Sequence, residues 1–321
     1  MRQFLYIINH ICLILEGVSH LFKYTLITLW KSLTGEKDTV GAIWKIVYTA
    51  IGCISSVFAF AVLLNDLVGF DKIELFFQKK WYLLVFAGLL VSFVINHEKI
   101  SCDGSKDDDD LIISVKVKSL FNVSATSYVI PTNSYFRTQT DDEYVSPNSV
   151  QGAFQNKFFK DNLQELDRLI AENLTQQGLV GTDIQDRFGS VKKYPLGTVA
   201  KVNHKNKHYY FVAINDVNEY GKPVNQCYNN VSTAFNGLLD AIKRFGHCDD
   251  LAMPLIGTGK AAIRDATIDK VVRETIDHFI ESDDKIARKL IVCISPKDYV
   301  DGKVNMKKIA NYLEYRCEFE K

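Results

Sequence analysis

The residues best suited to chemistry lie late in the chain, in the run Leu251-Ala-Met-Pro-Leu-Ile-Gly-Thr-Gly-Lys-Ala-Ala-Ile263. An apolar stretch rises to Pro254 and Ile256, breaks at Gly257-Thr258-Gly259-Lys260, and returns to small residues at Ala261. Glycines after a strand allow positive φ and close backbone approach, so successive N–H groups can converge on phosphate oxygens. Thr258 adds a hydroxyl and Lys260 a positive charge. The Walker spacing GxxxxGK[ST] is absent, and a plain strand-to-helix turn would use the same residues. A second candidate wall is Pro131-Thr132-Asn133, where an asparagine amide could meet ribose hydroxyls or close an Asx turn. A third is Ser149-Val150-Gln151-Gly152, opening a helix whose N-terminus favours anions; Ser149 would equally serve as its cap.

These three walls need a scaffold, and the chain from residue 111 alternates strand and helix signals. Strands are predicted at Leu111–Leu120, Ser127–Ile130, Val199–Asn203, His208–Ile214, Leu251–Ile256 and Lys289–Ser295. Helical spacing marks Ser149–Phe159, Leu163–Leu174, Cys227–Phe245 and Ala266–Ile280. That order predicts a three-layer α/β domain with a mixed sheet over 111–321, its ligands beyond the carboxyl ends of the strands.

The first hundred residues differ. Ile46–Leu64 has 19 residues without a charge and Trp81–Asn96 has 16. As helices these cover roughly 28 and 24 Å against a hydrocarbon core of ~30 Å. They predict a transmembrane hairpin, with helices at about 44–65 and 78–97. Lysines near the ends can snorkel, and Trp81 and Tyr82 suit an interface. Lysine counts favour both chain ends on the cytoplasmic side. Within Phe4–Leu33 the polar residues Asn9, Glu16, His20, Lys23 and Lys31 fall on one stripe. This predicts an amphipathic helix, about 4–33, lying on the membrane or packed on its neighbours. A signal peptide is the rival, without a convincing cleavage site. Ser101–Asp110, SCDGSKDDDD, reads as a polar linker; four adjacent aspartates lack the spaced oxygens of a calcium loop.

Composition excludes some functions. With 38 basic and 38 acidic residues the net charge is zero, so no nucleic-acid surface is expected. Seven cysteines form no CxxC pair, which argues against a zinc ribbon or redox motif. No metal or cofactor is expected.

Taken together, the three walls resemble a macro domain, the ADP-ribose-binding α/β family. Val129-Ile-Pro-Thr-Asn133 resembles its VNAAN-like strand end. Leu251–Ala261 resembles its IAFPxISTGxYG strand and phosphate loop, whereas Ser149–Ala153 matches the glycine-rich helix opening poorly. The resemblance implies ligand contacts at Pro131, Thr132, Asn133, Ser149, Val150, Gln151, Gly152, Ile256, Gly257, Thr258, Gly259, Lys260 and Ala261. The family's adenine-contacting aspartate would fall near Ser119, where there is no acid. Gln139–Gln151 lacks the glycine run of hydrolytic members, and Asp141, Asp142 and Glu143 are out of register. The resemblance therefore implies a binder without catalytic residues; the alternative is a membrane-anchored ADP-ribosyl hydrolase.

A hydrophobic hairpin ahead of such a domain is similar to the membrane effectors of bacterial Thoeris anti-phage systems. That likeness implies a messenger derived from ADP-ribose, with a histidine conjugate expected, made by a TIR-domain enzyme that need not touch the effector. It also implies inner-membrane, multi-pass placement, a cytoplasmic macro domain, homo-oligomerisation and membrane damage.

Overall fold

The computed structural model describes residues 20–35, 39–68, 71–106, 111–139, 145–186, 189–218, 222–246, 248–259, 263, 266–282 and 286–319. The chain divides into two compact units. One comprises residues 1–100 with Pro296–Gly302, the other Ser101–Ser295 with Lys303–Lys321.

The first unit contains helices α1 (His20–Thr34), α2 (Thr39–Val68) and α3 (Asp71–Asn96). Helix α1 occupies the later part of the stretch read as an amphipathic helix, about 4–33; the earlier part lies outside the described residues. Both α2 and α3 outrun the charge-free stretches, and α3 is broken at Lys80, whose φ and ψ are −127° and 30°. Val40–Leu63 and Lys79–Asn96 are long and apolar enough to cross a membrane, with only 17% of each window buried. Their apolar surface is therefore mostly uncovered within the chain. The two pack through small and polar residues. A Cβ on Gly88 would lie 2.7 Å from Ile54 Cγ1. Ser92 Oγ donates to the Ile46 carbonyl at 3.0 Å, and Asn96 Nδ2 to Thr49 Oγ1 at 3.3 Å. Close backbone approach and these hydrogen bonds are the contacts that fix the pairing of the two helices.

The second unit holds β1 (Ser101–Lys106), β2 (Leu111–Val117), β3 (Ser127–Asn133), α4 (Val150–Phe158), α5 (Leu163–Gln176), β4 (Thr182–Asp186) and β5 (Gly189–Lys193). There follow β6 (Val199–His204), β7 (Lys207–Val217), β8 (Pro223–Val224), α6 (Asn229–Phe245), β9 (Cys248–Pro254), α7 (Ile268–Ile280) and β10 (Ala287–Ile294). The chain closes with α8 (Pro296–Val300), which belongs to the first unit, and α9 (Met306–Phe319). The main sheet runs β1-β2-β10-β9-β3-β7-β6, with β8 on β7; β4 and β5 form a separate hairpin. Strands β2, β10, β9, β3 and β7 are parallel, while β1 and β6 close the edges antiparallel. The expected mixed sheet is therefore observed.

Alternation in β7 places the two outer layers. Tyr209, Phe211 and Ala213 join Phe154, Leu166 and Ile170 of α4 and α5 in one buried cluster. Tyr210 turns the other way and meets Phe245 of α6, ring centroids 6.3 Å apart; successive strand residues point to opposite faces. Phe235 of α6 in turn stacks on His278 of α7 at 5.0 Å.

Side chains at the end of α5 cover the β6 edge of the sheet, and α9 packs on a face of β1. At β6, Asn173 Oδ1 accepts from the Lys201 N–H at 2.7 Å and Gln177 Nε2 donates to the Val199 carbonyl at 2.9 Å. These side chains satisfy groups that would otherwise invite another strand. At β1, a Cβ on Gly104 would lie 2.8 Å from Cys317 Sγ of α9.

Two expectations change. Ser101–Lys106 is not linker but strand, paired with β2 from Ser101↔Lys116 to Lys106↔Leu111. The open edge of β2 supplies partners that outweigh the weak strand propensity of SCDGSK. Asp107–Asp110 lie outside the described residues. Nor does the α/β domain run unbroken to Lys321, because Pro296–Gly302 packs with the first unit.

Candidate functional site

The parallel strands deliver their carboxyl ends to one rim: Val117, Ile294, Pro254, Asn133 and Val217. The two strongest sequence motifs, after β9 and after β3, are thus brought to adjacent strands.

After β9 the chain turns at Ile256-Gly257-Thr258-Gly259. Ile256 is fully buried and anchors the turn. Gly257 has φ +85°, and an added Cβ would sit 2.9 Å from Ile263 Cδ1 and 3.1 Å from Val231 Cγ2. Backbone and packing both demand glycine there. The turn is closed by Ile263 N–H donating to the Gly257 carbonyl at 3.2 Å and by Thr258 Oγ1 donating to the Leu255 carbonyl at 3.2 Å. Gly259 is different: among the described residues, no atom beyond its chain neighbours lies within 4 Å of a Cβ built there. Lys260 and Ala261 lie outside the described residues.

After β3 the polar groups satisfy one another. Thr132 and Asn133 are only 3% and 4% exposed. Thr132 Oγ1 donates to Gln151 Oε1 at 2.9 Å, and Gln151 Nε2 donates to the Arg137 carbonyl at 2.8 Å. Asn133 Oδ1 accepts from the Tyr135 N–H at 3.0 Å, which is an Asx turn. Phe136 follows with φ 51°, and its N–H donates to the Asn133 carbonyl at 3.1 Å. Pro131 is partly exposed.

The α4 opening is also occupied by its own chain. Ser149 caps it, its Oγ accepting from the Gly152 N–H at 3.0 Å and donating to the Ser146 carbonyl at 2.7 Å. A Cβ on Gly152 would be 2.3 Å from the Ser146 carbonyl oxygen and 2.8 Å from Pro147 Cα. Gly152 therefore admits the crossing Ser146–Pro147 segment. Val150 packs against the buried aromatic cluster. Of the glycines in these three segments, only Gly259 would carry an added Cβ without meeting a described atom within 4 Å.

Sequence reasoning missed the β7 end of the rim. Asn215 is 7% exposed and its carbonyl accepts from the Ser134 N–H at 3.0 Å. Asp216 pairs with Lys193 at 2.8 Å, and the Tyr194 N–H donates to the Ser134 carbonyl at 2.9 Å. The signal was the polar run Asn215-Asp-Val-Asn218 ending a strongly β-prone strand. Asp167 is exposed as a residue, but local desolvation of its carboxyl beside Thr138 raises it above the usual range, opposed by a hydrogen bond from Thr138 Oγ1 and the nearby Arg137 charge. That hydrogen bond is 2.6 Å long. Among the described residues no group of three or more His, Cys, Asp or Glu side chains gathers to hold a metal.

A three-layer α/β unit with a parallel centre, and a glycine turn on its carboxyl rim, defines a macro-type nucleotide-binding domain. The chain belongs to the family "Thoeris protein ThsA, Macro domain", whose model matches residues 113–295, from β2 through the end of β10. It is 24% identical over 199 residues to the Thoeris protein ThsA of Bacillus amyloliquefaciens strain Y2, a match covering 55% of this chain and 60% of that relative. Less than two thirds of the relative is therefore spanned. Among solved structures it is similar to the Oceanobacillus iheyensis macrodomain with ADP, at 12% identity, 66% of this chain, 97% of that chain and a TM-score of 0.43. The macrodomain of Thermus aquaticus DarG gives 11% identity, 57% of this chain, 99% of that chain and 0.38.

Proposed function

We propose that the chain is a membrane effector of bacterial anti-phage defence. Its macro domain binds an ADP-ribose-derived messenger, a histidine–ADP-ribose conjugate first among candidates. A partner TIR-domain enzyme makes the messenger and needs no direct contact. The α2–α3 hairpin sits in the inner membrane with the macro domain cytoplasmic, and occupancy drives homo-oligomerisation and membrane disruption.

The observation that carries this reading is the turn at Gly257–Gly259, placed at the carboxyl end of a central parallel strand, with no described atom within 4 Å of a Cβ built on Gly259. Successive backbone N–H groups in such a turn can converge on a diphosphate. Membership of the ThsA macro family and the two exposed apolar helices are consistent with it. The domain binds rather than hydrolyses: Gln139–Gln151 carries no glycine run to approach a distal ribose.

The test uses the full chain in lipid nanodiscs. Calorimetry with ADP-ribose and histidine–ADP-ribose should give saturable binding. The same ligands should trigger dye release from phosphatidylethanolamine/phosphatidylglycerol vesicles carrying the protein, and chromatography should recover the ligand unchanged. No binding heat, or steady ligand turnover, overturns the proposal.

A further inference from the structure

The segment that leaves β10 does not stay with the macro domain. Ser295 ends one unit and Pro296 begins the short helix α8, which is clustered with the hairpin. There Tyr299 is fully buried. Its phenol donates to Glu98 Oε2 at 2.7 Å, two residues beyond the end of α3. Its carbonyl accepts from Lys31 Nζ of α1 at 2.7 Å, and the same ammonium lies 4.5 Å from the centre of its ring. Glu98 is further tied to α1 by two backbone-level bonds: its N–H donates to the Ser32 carbonyl and its carbonyl accepts from Ser32 Oγ, each at 2.7 Å. One tyrosine thus joins the helix before the hairpin to the residue just after it.

The other end of this segment is β10. Its last residues pair in register with β9, Cys293 beside Pro254, and β9 runs directly into the Gly257–Gly259 turn. A single residue, Ser295, separates the strand beside the ligand turn from helix α8, which carries Tyr299. A shift of β10 by even a fraction of an ångström must be absorbed at Ser295 or passed on, because packed elements resist continuous deformation.

We propose that Tyr299, with Glu98 and Lys31, is the clasp through which occupancy of the β9 turn biases the membrane hairpin. The inference rests on the function proposed above and specifies its regulation. Burial, reinforced by the Glu98 carboxylate, holds the phenol well above the ordinary tyrosine range. The hydroxyl therefore stays a donor throughout the physiological pH range. Tyr299→Phe deletes that donor and keeps the ring. Glu98→Gln removes the charge at an exposed position and is not expected to disturb folding.

The experiment compares wild type, Tyr299→Phe and Glu98→Gln as full chains. Histidine–ADP-ribose affinity is measured by calorimetry, and dye release from phosphatidylethanolamine/phosphatidylglycerol vesicles is measured with and without the same ligand. Wild type should show a release ratio of at least about fivefold, the low end of typical site-to-site coupling. In the variants affinity should stay within about twofold of wild type, apart from the coupling that is lost, while the release ratio falls toward one. Wild-type ratios in either variant with binding intact overturn the clasp, as does loss of binding in Glu98→Gln. Should Tyr299→Phe fail to fold, Glu98→Gln decides alone. If wild type itself neither binds nor releases dye, it is the functional proposal that has failed.

Discussion

Two neighbouring turns on one sheet rim use their polar residues in opposite ways. The turn after β9 is held by buried Ile256 and by a glycine that geometry demands, and no described atom stands within 4 Å of a Cβ built on exposed Gly259. The turn after β3 folds inward: Thr132, Asn133 and Gln151 are buried and hydrogen-bonded to their own surroundings. The contrast teaches that a motif match identifies a position in a fold, whereas the hydrogen-bond inventory of that position tells whether its side chains remain available.

The contrast can be broken most sharply at Gly259. Gly259→Asp should weaken ADP-ribose-type ligands by about 100-fold or more, roughly 2.7 kcal/mol, by setting a carboxylate where phosphate oxygens belong. The melting temperature should hardly move, because no described residue crowds that position. Calorimetry showing unchanged affinity would remove the β9 turn from the site. On the other side of the rim, Gly152→Ala should cost stability of about 1–3 kcal/mol through overpacking, since its Cβ meets the Ser146–Pro147 backbone. Urea melts read this directly, and unaltered stability would mean that segment moves freely. Thr132→Val should cost about 1–2 kcal/mol by leaving Gln151 Oε1 buried without its donor. If it instead abolished binding at full stability, the β3 turn would belong with the ligand after all.

The smallest expected effect concerns Asp167. Its folded-state pKa is raised, chiefly by desolvation, so its ionised form is disfavoured by folding. Its contribution is most favourable at low pH, where it is protonated in both states, and is lost as pH rises through the folded value. Asp167→Asn should therefore raise the melting temperature at pH 7 by about 2 °C or less. The gain should shrink as pH falls toward 4, since the wild-type carboxyl is then neutral too. A gain that grows on acidification would reverse the assigned direction.

Much of the architecture was legible because its signals are local. Long charge-free runs, β-branched alternation and helical spacing involve residues a few positions apart, and they located α2, α3, β7, α6 and β10 to within several residues. The β4–β5 hairpin went unanticipated, having weak apolar alternation, and α9 was passed over although Met306, Ile309, Leu313 and Cys317 form a buried stripe at helical spacing. At the site, Gly257 was correctly singled out as a residue whose conformation matters. The inward turning of Thr132 was not legible, because its partner Gln151 is 19 positions away. A truncation placed at residue 100 also looks clean on sequence alone, yet it would strip Glu98 and Lys31 from Tyr299.

The sequence by itself determined that one end of this chain is oily at membrane length, that the other is α/β, and which glycine turn ends a central strand. Those properties follow from side-chain polarity and backbone freedom acting over short distances. Only the tertiary structure decided that SCDGSK becomes a strand, that Pro296–Gly302 joins the hairpin, and that Asn133 closes its own turn. Each of those outcomes depends on which unpaired donor or acceptor lies nearby in space, and a chain brings such groups together only when it folds.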